Sequence, residues 1–341
     1  MKVLVVGGTG YIGTHVVRRL LDAGHDLAIF HRGQTDAELP PDVCHIFGDR
    51  QQLLDFRDEF KQLAPQVVLD VMPYVGQDAL TVTQTFRGIA ERVVAISSQD
   101  VYRSFGILWH LENTPANVTP INEDAPLRSV LYLYRSLAEG TDDLKYNYDK
   151  IPVEQVFMSD ADLSGTVLRL PVVYGIGDTK HRLFDYLKRM DDGRPFILLE
   201  NDFARWRWTR GYVENVADAI ALAVTNERAK NRIYNIGEPE ALTETEWLKS
   251  IAGAVGWNGE VIAMPRAALP EHLKPRISFD HDLYVDTNRI RSELDYKERV
   301  SRSEALGKTI AWERANPQTD LEPNQFDYAA EDAALKNWQS K

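Results

Sequence analysis

The sequence predicts an α/β fold: a doubly wound parallel sheet followed by a smaller, mixed C-terminal lobe. Three observations predict it. Residues 3–13 read VLVVGGTGYIG, an apolar run ending in the spaced glycines Gly7, Gly10 and Gly13, and the amphipathic stretch THVVRRLLDAG follows. Through the first half, short apolar runs alternate with helical patterns, the order that right-handed crossovers and a sheet covered on both faces require. The second half keeps helical patterns but loses the regular alternation.

Val3 to Val6 form a β-branched run suited to a buried parallel strand. Gly7 then permits a tight turn, Gly10 lets backbone approach a phosphate, and Gly13 lets a helix pack closely on the strand. The free N–H groups at that helix start face an anion. Strand, turn and helix together read as a Rossmann-type dinucleotide site whose cofactor contacts are Gly7, Thr9, Gly10, Tyr11, Ile12 and Gly13. DLAIFHR is the second strand, HIFGD (45–49) the third, QVVLDVM (66–72) the fourth and RVVAISS (92–98) the fifth. LLDFRDEFKQLA supplies a helix among them, and TVLRLPVVYG (166–175) reads as a further strand. Arg32, Asp49, Met72 and Ser98 thereby fall on one carboxyl edge, where such sheets bind ligands; Arg50 joins them as a cofactor contact.

In the second half HRLFDYLKRMDDGRP is a helix closed by glycine and proline, and YVENVADAIALAVTN is another. NRIYNIG is a strand, TETEWLKSIAGAVG a helix opened by a capping box, and SRSEALGKTIAWERAN the last helix. The division expected is a dinucleotide-binding domain over 1–170, with 205–236 returning to it. A substrate lobe takes 171–204 and 237–316, and a polar, loosely docked tail takes 317–341.

At 341 residues the chain buries a full core, and 44% apolar with 26% charged residues is ordinary for a soluble globular protein. A formal charge of −12 argues against nucleic acid as the main partner. Cys44, the single cysteine, fits a reducing cytosol. The first apolar stretch is cut by glycines too soon for a signal peptide, and no segment has bilayer-spanning length. The expectation is a cytoplasmic protein with a small-molecule substrate, no membrane partner, and a homodimer left open.

Hydride transfer at a carbinol needs a proton donor or acceptor beside the reacting oxygen. A tyrosine whose phenol is pulled down by a lysine one helical turn away provides it. Tyr146 and Lys150, in YNYDKIPVEQV, have this spacing. Two readings of the stretch compete. Pro152 prefers the first turn of a helix, which would leave Tyr146 and Lys150 in a loop; a helix kinked at Pro152 would bring them onto one face. The second reading is the one adopted: it makes Tyr146 the general acid/base, and Tyr148, which points away from Lys150 on a helix, ranks second. Ser98, at a strand end, would bond the substrate carbonyl. RWRWTR (205–210) is either a half-exposed strand or an anion-clamping, base-stacking strip. His110, His181 and His272 have no ligand spacing, so no metal site is expected. Glu214 and Asp218 read as a solvated helix face rather than a catalytic pair.

These stretches resemble the NAD-dependent epimerase/dehydratase family of extended or atypical short-chain dehydrogenases/reductases. GGTGYIG is similar to its GGxGFIG loop, and Gly48-Asp49 to the Asp that contacts adenine. ISSQDVY resembles its ISSxxVYG strand end with Ser98 at the catalytic Ser/Thr position, PINEDAPL its PxxEDxP loop, and YNYDKIPVE its YxxxKxxxE helix. LRLPVVYGIGD, GYVENVADAI and KTIAWERAN extend the resemblance over about residues 1–315. The chain departs from the pattern in four places, one of them Arg103 where the family's VYG has its glycine. Gln99 and Asp100 replace the dehydratases' Asp-Glu pair, Val172 stands where nucleotide-sugar epimerases often carry Asn, and RSVLYLYRSLAEGTDDLK (128–145) is extra length. The resemblance implies an NAD(P)-dependent oxidoreductase or epimerase acting on a hydroxyl or keto group of a sugar-like molecule. In it Lys150 also holds the nicotinamide ribose. The second strand ends FHRGQ, with no acid for the ribose hydroxyls, and Arg32 suits a 2′-phosphate, so NADP is expected over NAD. The alternative is a non-catalytic or RNA-binding, regulatory member of the same superfamily.

Overall fold

The computed structural model describes residues 1–340 except 36, 38, 42 and 278. Its strands are β1 (Lys2–Val6), β2 (Asp26–His31), β3 (Cys44–Phe47), β4 (Val67–Asp70), β5 (Arg92–Ser98) and β6 (Ser164–Leu170). After them come β7 (Val172–Tyr174), β8 (Phe196–Glu200), β9 (Arg210–Tyr212), β10 (Arg232–Asn235) and β11 (Glu260–Met264). The central sheet runs β10-β6-β5-β4-β1-β2-β3, with every pair parallel. Strand order reverses between β1 and β4, so their carboxyl ends open a crevice. This is the Rossmann-type α/β fold.

Alternation along β1 feeds two cores. Val3 and Val5 pack with the helices Tyr11–Asp22 and Val213–Thr225; Leu4 and Val6 face the helices Gly76–Phe86 and Lys150–Ser159. Each fully buried side chain of this kind contributes about 1.5–3 kcal/mol, so the period-two pattern fixes which helix covers which face. The helix Val213–Thr225 and β10 both lie on this N-terminal sheet, β10 beside β6. Pro171 cuts the apolar run 166–175: β6 ends at Leu170, and β7 leaves to pair with β9.

The helix Glu244–Val255 carries the expected capping box between Thr243 and Glu246 and ends on left-handed Gly256. Two strands escaped the sequence reading. FILLE (β8) and EVIAM (β11) form a separate parallel pair under the C-terminal lobe. The tail also differs from expectation. It carries a helix, Tyr328–Gln339, whose Glu331 is fully buried and takes Arg189 at 2.8 Å and His272 at 3.2 Å. Phe326 packs edge-on to Phe184. A polar composition hid this docking because a buried ion pair, a few aromatic contacts and the single leucine Leu335, packed on Leu198, Met264 and Leu269, hold the helix down rather than a continuous apolar stripe.

Candidate active site

The glycine turn has the geometry its spacing implies. Gly7 adopts φ +85°, closed to most side chains, and donates its N–H to Phe30 O at 3.0 Å. A Cβ on Gly13 would lie 2.8–2.9 Å from the Gly8 backbone, so helix and strand touch there. A Cβ on Gly10 would instead meet nothing within 4 Å. Gly10 begins the helix with no side-chain cap. An uncapped helix N-terminus above open space is a cradle that fits a pyrophosphate. Thr9, Tyr11 and Ile12 sit on the same turn.

The remaining expected cofactor contacts divide. Arg32, just past β2, is exposed. Asp49 caps the turn Arg50–Phe56 by accepting from Gln51 N at 2.9 Å. Arg50 is engaged by protein: it grips Asp70 through two nitrogens (3.2 and 2.9 Å), donates to Met72 O at 2.6 Å and faces Asp78 at 3.3 Å. The Met72 side chain packs over Gly7.

Lys150 stands at the start of the helix Lys150–Ser159, capped by Asp149, which accepts from Ile151 N at 2.9 Å. Pro152 therefore occupies the first turn, where its missing N–H costs nothing. Tyr148 and Asp149 are extended, and Tyr146 belongs to a separate short helix, Leu144–Asn147. Tyr146 and Lys150 consequently share no helix face: the adopted kinked-helix reading fails, because Asp149 caps a new helix at Lys150 with Pro152 in its first turn. The Tyr146 ring lies under the Arg135 guanidinium at 4.7 Å.

Lys150 nevertheless lies against the carboxyl ends of β4 and β5. Only 4% exposed, its Nζ donates to Pro73 O at 2.8 Å and Ile96 O at 3.0 Å, just beyond β4 and within β5. It faces the rings of Tyr74 (5.0 Å) and Tyr148 (5.7 Å). Burial pushes its pKa down to about 8, against the pull of Asp100 and Asp70. The helix that carries it is fixed from behind: Glu154 takes Arg169 at 2.9 and 2.7 Å and Ser97 Oγ at 2.6 Å.

Ser98 ends β5, and its Oγ accepts from Asp100 N at 3.2 Å. Tyr148 OH lies 3.1 Å from Asp100 Oδ2, and Tyr134 OH 3.4 Å from the same oxygen. Burial, with Asp100 second, pushes the Tyr148 phenol well above its ordinary range. The extended backbone at Tyr148 thus brings the competitor tyrosine, rather than Tyr146, beside Ser98 and Lys150. Sequence reasoning gave Asp100 and Tyr134 no role, although ISSQD put a carboxylate two residues past Ser98.

RWRWTR is absorbed by packing. Trp206 is buried against Trp208 and Phe279. Arg207 holds Ala241 O and Glu246, and buried Arg210 pairs with Glu244. Glu214 accepts from Tyr212 OH at 2.8 Å and faces Lys308 at 3.3 Å, while Asp218 pairs with Arg19. Among the described residues no helix is long and apolar enough to cross a membrane.

The sequence profile of the NAD dependent epimerase/dehydratase family matches residues 3–102 and 145–237. The chain belongs to this family. It is an enzyme of the extended short-chain dehydrogenase/reductase type, NAD-dependent as a class. It is 25% identical over 298 residues to 2′-dehydrokanamycin reductase from Streptomyces kanamyceticus, covering 85% of this chain and 75% of that protein. Identity to UDP-glucose 4-epimerase from Lactobacillus helveticus is 24% over 352 residues, covering 93% and 98%. The UDP-glucose 4-epimerase of Thermus thermophilus, solved in complex with NAD, has the same fold: TM-score 0.65 at 21% identity, covering 93% of this chain and all of that one. The family match breaks between residues 102 and 145, and that interval contains Arg128 and Tyr134.

Proposed function

We propose that this epimerase/dehydratase-family enzyme is an NADP-preferring oxidoreductase or epimerase. It acts on a hydroxyl or keto group of a sugar-like small molecule, with Tyr148 as general acid/base, Lys150 as its electrostatic partner and Ser98 as the group that orients the substrate oxygen. The observation that carries the reading is the fixed Lys150 ammonium, held by two main-chain carbonyls and facing the Tyr148 ring beside Ser98. Similarity to UDP-glucose 4-epimerase supports a sugar-like substrate.

The glycine turn 7–13 would hold the pyrophosphate, and Lys150 would hold the nicotinamide ribose. When bound, the nicotinamide supplies or accepts the hydride. Ser98 Oγ holds the reacting oxygen, and the Tyr148 hydroxyl gives or takes a proton at that oxygen. A protonated Lys150 favours the phenolate and so opposes the upward push of burial. The rings of Tyr74 and Tyr134, centred 6.0 and 5.5 Å from that of Tyr148, limit water around the phenol.

Replacing Tyr148 tests the assignment. Tyr148→Phe should keep NADPH binding, read by cofactor fluorescence, and lower turnover of keto-sugars or nucleotide sugars by about 100-fold or more. Tyr146→Phe should stay within about twofold of wild type. Full turnover in Tyr148→Phe, or its loss in Tyr146→Phe, overturns the assignment. Support for NADP comes from exposed Arg32 and from a second strand that ends in His31 rather than an acid. Arg32→Ala should weaken NADPH binding by about tenfold and leave NADH nearly unchanged. Equal or tighter NADH binding by the wild type refutes the preference.

A further inference from the structure

Among the described residues Asp100 is the one carboxyl that hydrogen-bonds the phenol of the candidate site, and the acid/base reading above does not use it. Its side chain is 3% exposed. Oδ2 faces two hydroxyls, Tyr148 at 3.1 Å and Tyr134 at 3.4 Å, while Oδ1 is buried without a hydrogen-bond partner. A buried carboxylate with an unsatisfied oxygen is costly, and the protonated acid needs fewer partners.

The two cations nearest to it are engaged elsewhere. Arg128 donates to the Asp100 backbone oxygen and to Val130 O, and its remaining reach goes to Asp149. The Lys150 ammonium is held by Pro73 O and Ile96 O. Asp149 adds a like charge, and the other groups facing Asp100 are the hydroxyls of Ser98, Tyr134 and Tyr148.

Building on the assignment of Tyr148 as general acid, we propose that Asp100 is its positioning and proton-donating partner. A carboxyl proton on Asp100 passes to the Tyr148 oxygen as Tyr148 releases its own proton to the reduced substrate oxygen. Tyr134, supplied by the segment outside the family match, orients that carboxyl.

The step balances for carbonyl reduction. The Tyr148 O–H breaks as the product O–H forms, and the Asp100 O–H breaks as the Tyr148 O–H is restored. A carboxylate remains on Asp100 and recovers a proton from solvent when the crevice opens. The reduced nicotinamide of this enzyme class supplies the hydride. Burial, opposed by Arg128 and by the Tyr148 hydrogen bond, pushes the Asp100 carboxyl above the usual range, in keeping with a proton stored there.

Two measurements test the relay. The first needs no substrate: the infrared spectrum of the full chain near neutral pH should contain a protonated-carboxyl band that Asp100→Asn removes. Identical spectra overturn the proposal. The second follows NADPH oxidation by a keto-sugar that the wild type reduces. Asp100→Asn should lower kcat on the order of 10- to 100-fold with KM and NADPH affinity retained. It should also lose one of two limbs over which activity falls with rising pH, and keep the limb near pH 8 that belongs to Lys150. Tyr134→Phe, which leaves carboxyl and phenol in place, should show a smaller loss and keep both limbs. Wild-type kcat and pH profile in Asp100→Asn, alongside an inactive Tyr148→Phe, overturn the relay and leave the Tyr148 assignment standing. An active Tyr148→Phe removes that assignment instead.

Discussion

Lys150 should make stability and activity move in opposite directions as pH rises. In the unfolded chain a lysine titrates near 10.5, and in the crevice burial brings this group to about 8. Below about pH 8 it is protonated in both states, so its contribution to the pH dependence is flat. Between about 8 and 10.5 the unfolded chain binds the extra proton, and stability therefore climbs with pH. The full span is worth about 3 kcal/mol. Other groups titrate in the same window, so the comparison is with Lys150→Met. That variant loses the bonds to Pro73 O and Ile96 O at every pH, an offset that does not vary across the titration. Urea denaturation at pH 7.5, 9 and 10.5 should show wild type gaining about 3 kcal/mol on the variant. Over the same range turnover should fall, because the charge that favours the Tyr148 phenolate is lost. Parallel stability curves for the two proteins would refute the reasoning.

Three further outcomes follow from the geometry. Arg169→Met leaves Glu154 buried and unpaired behind Lys150, so it should cost about 3–5 kcal/mol in urea denaturation. Gly13→Ala forces a Cβ against the Gly8 backbone; thermal unfolding should show a loss of about 1–3 kcal/mol, and fluorescence titration weaker NADPH binding. Glu331→Ala strands buried Arg189, so a drop of about 3–5 kcal/mol is expected, whereas a freely moving tail would show none.

The sequence alone determined the sheet and its ligand edge. Val3 to Val6 and the three glycines permit little else, because period-two burial and the contact of Gly13 with Gly8 are local consequences of residue type and spacing. It also put Ser98 and Lys150 in view, one at a strand end and the other in a motif. Only the tertiary structure decided which tyrosine joins them. Asp149 and Pro152 start a new helix at Lys150, and the extended link at Tyr148 swings that ring onto Asp100 while Tyr146 turns to Arg135. Helical spacing says nothing about two helices joined by an extended pair of residues. Nor does composition reveal a docked tail, since its contacts, the Glu331–Arg189 pair, Phe326 on Phe184 and Leu335 among Leu198, Met264 and Leu269, join residues far apart in the chain.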